Sequence, residues 1–187
     1  MEAPCTVISV GSCNDYTFEA TVLNETKCDV VTVDCTVSDP QILDPVRHKF
    51  IKKCLTSSTA VKERADLATY EEIVSSLGLP PGSAPLLKFD AEGYEFPVFS
   101  EWDETTMRLP EQIAVELHYR SDPASALSLS QPLFFRPELD LAELALFVGH
   151  MANLGYGVVS REDNAFCDMC SELTFFRVES HYKKRAD

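Results

Sequence analysis

The chain holds no run of about eighteen apolar residues, the length a membrane-spanning helix needs, so the sequence excludes a span of that kind. Its opening, Met1-Glu2-Ala3-Pro4, lacks the basic and then apolar regions of a signal peptide. A strand-like pattern follows almost at once, as in a chain that is complete and short or a domain cut from something longer. Positive charge is scarce: 16 Lys and Arg stand against 30 Asp and Glu, a formal net charge of −14. Nucleic acid and anionic lipid would repel such a chain, so neither is expected as a partner. The one cationic cluster, His181-Tyr182-Lys183-Lys184-Arg185, reads as a solvated end. Internal repeats and low-complexity segments are absent. What remains is the composition of an ordinary soluble protein, 45% apolar and 25% charged, and 187 residues suffice for a single domain, 1–187, with a substantial core. Oligomeric state leaves no mark in it.

Cysteine is present but in an odd number, seven, at positions 5, 13, 28, 35, 54, 167 and 170. Cys5, Cys28 and Cys35 sit in apolar β-like runs, where a free thiol behaves as a small buried hydrophobe. The expectation is a reducing, cytoplasmic compartment. Asn24-Glu25-Thr26 has the form of a glycosylation acceptor, which would matter only in a secreted chain. Cys167-Asp168-Met169-Cys170 lacks the second cysteine pair that a structural zinc commonly uses, and His48, His150 and His181 have no ligand-like spacing to it. A redox CxxC opens a helix after a strand, whereas this one precedes a strand pattern. The pair reads as structural, and no metal is expected.

Along the chain, Thr6 to Val10 closed by Gly11 and Asp29 to Val33 closed by Asp34 are apolar, strand-like runs. Between them Tyr16 to Leu23 has helical character, with Phe18, Val22 and Leu23 on one side. A weaker strand lies around His48 to Leu55, and Thr56 to Ala68 reads as polar loop. Thr69-Tyr70-Glu71-Glu72 is a capping box for a helix with Ile73, Val74 and Leu77 on its apolar face, stopped by Gly78 and Pro80-Pro81. Strands follow at Pro85 to Asp90 and Ile113 to His118. Asp140-Leu141-Ala142-Glu143 starts a second capped helix, with an apolar stripe of Leu141, Leu144, Ala145, Val148 and Ala152. Tyr156 to Ser160 and Leu173 to Val178, with the turn-like Arg161-Glu162-Asp163-Asn164 between them, suit an antiparallel hairpin. Strands alternating with helices imply βαβ units and a parallel sheet.

Ligands of doubly wound sheets bind outside the carboxyl ends of the strands. The residues there are Gly11-Ser12-Cys13-Asn14-Asp15, Asp34-Cys35, Asp90-Ala91-Glu92-Gly93 and Glu116-Leu117-His118. Gly11 lets backbone approach a ligand, and Asp34, 23 residues on, stands near the spacing at which an acid meets a ribose. A nicotinamide-dependent oxidoreductase would share both features, but no G-x-G-x-x-G occurs at Gly11.

The segment Leu87-Lys88-Phe89-Asp90-Ala91-Glu92-Gly93-Tyr94-Glu95 resembles the K-[IF]-D-x-E-G-x-E motif of FkbM-type methyltransferases and related methyltransferase-like proteins. The Gly11-Ser12 turn with Phe18-Glu19, Asp34-Cys35-Thr36, Glu116-Leu117-His118 and Cys170-Ser171-Glu172-Leu173 fall in that family's order. The resemblance implies an α/β, Rossmann-like class I methyltransferase fold: a mostly parallel seven-stranded sheet with an antiparallel edge hairpin and helices on both faces. It implies S-adenosylmethionine as cofactor, held by Gly11, Ser12, Asp34, Cys35 and Asp90, and O-methylation of a small-molecule or glycan acceptor. His118 is the candidate base, because its unperturbed pKa lies near neutrality, with Asp90 or Glu116 orienting it or the acceptor. His118 is equally readable as a hydrogen-bonded residue at a sheet edge. Glu92 either contacts substrate or fixes the turn at Gly93. Where family loops hold a second glycine, this chain has Asn14-Asp15, whose carboxylate either repels that of the cofactor or points away. Helices that often precede the first strand in the family have no counterpart here. The alternative is therefore a catalytically degenerate interaction domain on the same fold.

Overall fold

The structure is a computed structural model that describes residues 5–80, 83, 85–119, 139–164, 167 and 170–178. Residues 181–185 lie outside these. The strands β1 (Thr6–Val10), β2 (Asp29–Val33), β3 (His48–Ile51), β6 (Leu86–Phe89), β7 (Gln112–His118), β8 (Tyr156–Asp163) and β9 (Cys170–Arg177) form one sheet in the order β3-β2-β1-β6-β7-β9-β8. The first five run parallel, and β9 is antiparallel to both β7 and β8. This is the doubly wound arrangement expected from sequence, and strand order reverses between β1 and β6, where such sheets bind ligands.

The weak strand near His48 to Leu55 proves to be two. His48–Ile51 joins the main sheet, whereas β4 (Cys54–Leu55) pairs with β5 (Leu67–Ala68) in a separate ribbon. The polar stretch before β5 also contains a 3₁₀ turn at Ala60–Glu63. The closing hairpin is longer than expected, with Arg161 to Asp163 still in β8. Its register shifts between Val158 and Ser160, so Val159 has no partner on β9.

The two faces of the sheet differ in chemistry. Ile8, Val10, Val31, Val33, Leu87, Phe89, Ile113 and Val115 point to one side and form the main core with the helices α2 (Tyr70–Ser76), α3 (Glu95–Phe99) and α4 (Leu141–Asn153). Both expected capping boxes are formed. Thr69 Oγ accepts from the Glu72 amide at 3.1 Å and Glu72 Oε2 from the Thr69 amide at 2.9 Å, and Asp140 and Glu143 repeat the pattern. Each is worth about 1 kcal/mol.

Of the stripe expected on α4, only Leu144 packs against the core, and there it is half-buried. Phe147 and Met151 are the helix's buried residues, while Leu141 is 82% and Val148 41% exposed. Both candidate sets repeat at helical spacing in a helix rich in apolar residues, and the aromatic surface of Phe96 and Phe99 selects the ridge holding Phe147. A five-residue α3 was too short to show a period.

The opposite face carries α1 (Thr17–Glu25), whose buried residues are Leu23 and, unexpectedly, Glu19. Leu23 joins a small cluster with Val7, Cys28 and Val30. Farther along, Glu19 Oε1 accepts from the Thr32 hydroxyl (3.3 Å), which lies 2.9 Å from His48 Nε2, while His48 Nδ1 accepts from the Leu43 amide. Burial depresses the His48 pKa, which agrees with an imidazole that uses Nδ1 as acceptor and Nε2–H as donor.

The cysteine reading is corrected as well. Cys5 is bonded to Cys28 and Cys35 to Cys54, and Cys167 to Cys170; Cys13 is free. The apolar runs around Cys5, Cys28 and Cys35 reflect burial of the bridges rather than of free thiols. Closing loops of 23 and 19 residues, the first two bridges each contribute about 3 kcal/mol in the chain-entropy account. No helix among the described residues is long and apolar enough to cross a membrane.

Candidate active site

The loops after β1, β2, β6 and β7 converge at the carboxyl edge of the sheet. Gly11 has φ +78°, and a Cβ built there would stand 1.6 Å from the Asp90 carbonyl oxygen. Only glycine lets the first loop lie against the end of β6. Cys13 and Asn14 continue it at φ 46° and 65°. Asn14 thus takes the left-handed conformation that a second glycine would adopt, which Asn tolerates better than most residues. Asp15 accepts from the Thr17 amide and hydroxyl at the start of α1 and is held below its ordinary pKa by them.

Asp34, 6% exposed, ties the first two loops together. Its Oδ2 accepts from the Ser12 amide (2.9 Å), the Ser12 hydroxyl (3.0 Å) and the Cys13 amide (3.0 Å), and its Oδ1 from the Thr36 amide and hydroxyl at 2.8 and 2.6 Å. Burial pushes the carboxyl up, but these hydrogen bonds outweigh it and hold it below the usual carboxylate value. Five protein donors therefore occupy the acid expected to meet a ribose. Cys35 beside it is taken up in its bridge to Cys54, and both cysteines line the cavity described below.

Lys88, an ionisable residue within an apolar strand, was not singled out from the sequence. Its ammonium donates to the Gly11 carbonyl at 2.6 Å and pairs with Asp90 Oδ2 at 3.3 Å, joining β6 to the first loop. Glu95, also missed, is fully buried, and its Oε1 accepts from the amides of Ala91 and Gly93 (2.9 and 3.3 Å), which shapes the turn after β6. The signal was visible as the last glutamate of the D-A-E-G-Y-E segment, but nothing local distinguishes a buried acid from an exposed one. Glu92, at φ 53°, keeps a side chain that is 57% exposed.

His118 is surrounded by carboxylates. Nδ1 lies 3.3 Å from Glu95 Oε1, and Nε2 lies 3.7 Å from Glu92 Oε2 and 4.0 Å from Asp90 Oδ1. Burial lowers the imidazole pKa, yet Glu95, with Glu92 and Asp90 behind it, raises it more, to about 9. The near-neutral value assumed from sequence does not apply, and at neutral pH His118 is an imidazolium. Glu116, two residues back on β7, is also shifted upward, which for a carboxyl favours the neutral form. Burial and then the Asp90 charge raise its pKa, while Asn164 Nδ2 donates to its Oε1 at 2.8 Å. Cys170 Sγ lies 2.9 Å from the same oxygen; bonded to Cys167, it has no thiol proton to donate.

Two cavities meet here, sharing Phe18, Lys88 and Asp90. One, of about 410 Å³, is lined by the first two loops, Leu55, Ala91 and Tyr94; the other, of about 400 Å³, runs along the sheet past Ala114, Glu116, Glu172 and Thr174. Either is within the roughly 300–1,000 Å³ of small-molecule clefts. Donor atoms of Asp90, Glu116 and His118 lie within 4.8 Å of one another, as do those of Glu116, Cys167 and Cys170. In the second set the two sulfurs are joined to each other, so they are not thiolate donors.

Over residues 1–177 the sequence matches the family described as a methyltransferase domain. The chain belongs to that methyltransferase family. No curated protein matches it. Among solved structures, the methyltransferase is similar to the antibiotic-resistance methyltransferase Kmr, at 18% identity and TM-score 0.50 over 93% of this chain and 87% of that one. A chain from the complex between the Haloferax volcanii Trm112 methyltransferase activator and the putative methyltransferase gives TM-score 0.50 and 12% identity, over 95% and 84%. At these identities the likeness concerns the fold alone.

Proposed function

We propose that the protein is an FkbM-type enzyme that methylates an oxygen of a small-molecule or glycan acceptor, with S-adenosylmethionine as donor. The observation that carries this reading is the junction of the two cavities at Asp90, which sets a loop-lined pocket beside a second space bordered by Glu116. The donor set fits the cofactor. Backbone of Gly11 to Cys13 borders the first cavity together with apolar Leu55 and Tyr94, and carboxylates of Asp90 and Glu92 suit a cationic sulfonium. S-adenosylmethionine supplies a methyl group on that sulfonium, open to in-line displacement by the acceptor.

In this reading Gly11, Ser12 and Cys35 shape the pocket wall, and Asp34 braces it. A ribose hydroxyl reaches Asp34 by taking the place of the Ser12 or Thr36 hydroxyl. Glu116, with its raised pKa, takes the acceptor proton. His118 keeps its own proton and holds Asp90 and Glu92 in place. Glu92, the most exposed of these carboxylates, meets the acceptor. Positioning supplies the larger share of the rate, since displacement from a sulfonium needs little acid catalysis.

A second reading, a non-enzymatic interaction domain, is favoured by Asp15, an acidic residue that lines the first cavity. Calorimetric titration with S-adenosylhomocysteine separates the two: saturable binding supports the enzyme, and no heat at millimolar ligand overturns it. Glu116→Gln is expected to spare that binding and to slow turnover at least tenfold once an acceptor is in hand.

A further inference from the structure

Two bridges and one exposed tripeptide, unconnected in sequence reasoning, agree on the same environment. Cys5–Cys28 joins residues flanking β1 and β2 at their amino ends, and Cys35–Cys54 joins the end of β2 to β4. Both link elements that lie apart in sequence and meet only through the fold, and both stand away from any helix-opening redox motif. Bridges of this kind persist where thiols are kept oxidised. That removes the condition under which Asn24-Glu25-Thr26 was set aside.

The tripeptide is also well placed. Asn24, Glu25 and Thr26 are all exposed at the carboxyl end of α1. That helix begins at Thr17 and Phe18 on the cavity wall. At 1.5 Å per residue, Asn24 lies on the order of 10 Å farther along the axis, on the edge of the sheet away from the site. A bulky group there meets solvent and leaves the cleft open.

We infer that Asn24 carries an N-linked glycan and that the chain matures in an oxidising, glycosylating compartment. An oligosaccharide passes from a lipid-linked pyrophosphate donor to Nδ2 of Asn24. The sugar C1–N bond forms, the C1–oxygen bond to phosphate breaks, the amide loses one proton, and the lipid pyrophosphate departs. Transfer precedes folding, because in the folded chain the Thr26 hydroxyl is committed: it donates to the Val22 carbonyl at 2.7 Å and accepts from the Cys28 amide at 3.1 Å. Oxidation of Cys5 and Cys28 then closes the segment, each bridge giving up two protons and passing two electrons to a disulfide-bearing oxidant. None of this depends on the methyl-transfer reading.

The test uses the full chain recovered from cells that make it naturally, with thiols blocked by a maleimide at lysis. Peptide mapping is expected to show an oligosaccharide on Asn24 that peptide N-glycosidase removes, leaving Asp, and no maleimide on Cys5, Cys28, Cys35 or Cys54. In the same cells Asn24→Gln and Thr26→Ala are expected to abolish one discrete step of gel mobility, while Thr26→Ser retains it. Asn24→Gln is expected to keep the cooperative thermal unfolding and far-UV circular dichroism of the enzymatically deglycosylated wild type, which separates a lost glycan from a lost fold. Unmodified Asn24 overturns the glycan whatever the state of the cysteines, and maleimide on Cys5 and Cys28 overturns the compartment.

Discussion

Glu95 Oε1 and His118 Nδ1 lie 3.3 Å apart, which makes a fully buried carboxylate the partner of an imidazole on a central strand. The pair sets the charge of the cleft. His118 titrates near 9 in the folded state against 6.5 for an ordinary histidine, so the stability it contributes is fully present below pH 6.5 and is lost as pH rises through about 9. The stability difference between wild type and His118→Gln, read from urea midpoints, should be largest near pH 6 and shrink by pH 10. In Glu95→Gln the His118 imidazole signal in NMR should titrate at lower pH than in wild type.

His48 has the opposite sign. Its pKa is depressed, so its contribution is present above pH 6.5 and disappears as pH falls through the lowered folded value. Protonation would remove the acceptor facing the Leu43 amide. His48→Gln should therefore lose part of the wild-type dependence of melting temperature on pH between about 4 and 7, which brackets the ordinary histidine value.

Gly11 and Gly149 should respond oppositely to alanine. At Gly11 the new Cβ meets the Asp90 carbonyl at 1.6 Å in a left-handed backbone, so Gly11→Ala should cost more than about 3 kcal/mol or fail to fold. Gly149 has nothing within 4 Å of the added methyl and lies within α4, so Gly149→Ala should stabilise by about 0.5–1 kcal/mol. Denaturant unfolding measures both.

Asp34→Asn replaces an acceptor of five hydrogen bonds by a group that turns an NH₂ toward some of the same donors. A loss of about 2–4 kcal/mol is expected, with S-adenosylhomocysteine binding weakened at least tenfold. Thr36→Val, which removes one donor and leaves the loop amides engaged, should be milder in both measurements.

The strands and caps were legible because their causes are local. β-branched runs end on Gly11 and Asp34, and Thr69 and Asp140 each stand three residues before a glutamate. Strand-end position likewise brought Asp90, Glu116 and His118 together correctly, since a parallel sheet must present them on one edge. What could not be read were properties that neighbours confer. The pKa of His118 depends on Glu95 in another element, the saturation of Asp34 on Thr36 and Ser12, and the state of Cys35 on Cys54. The buried ridge of α4 was misread for the same reason: Leu141 and Phe147 are both apolar, and only the partner surface chooses between them.

The bulge at Val159 bears on what the molecule avoids. Among the described residues β8 is the outer strand of the sheet, with Val158 and Val159 46% and 63% exposed, a surface on which another chain's strand could add. The extra residue breaks the even spacing that a docking strand would have to match, and Arg161, Glu162 and Asp163 follow it with charge. The bulge and the charges together make β8 a poor template for a second chain's strand, which closes one route from native sheet to fibre.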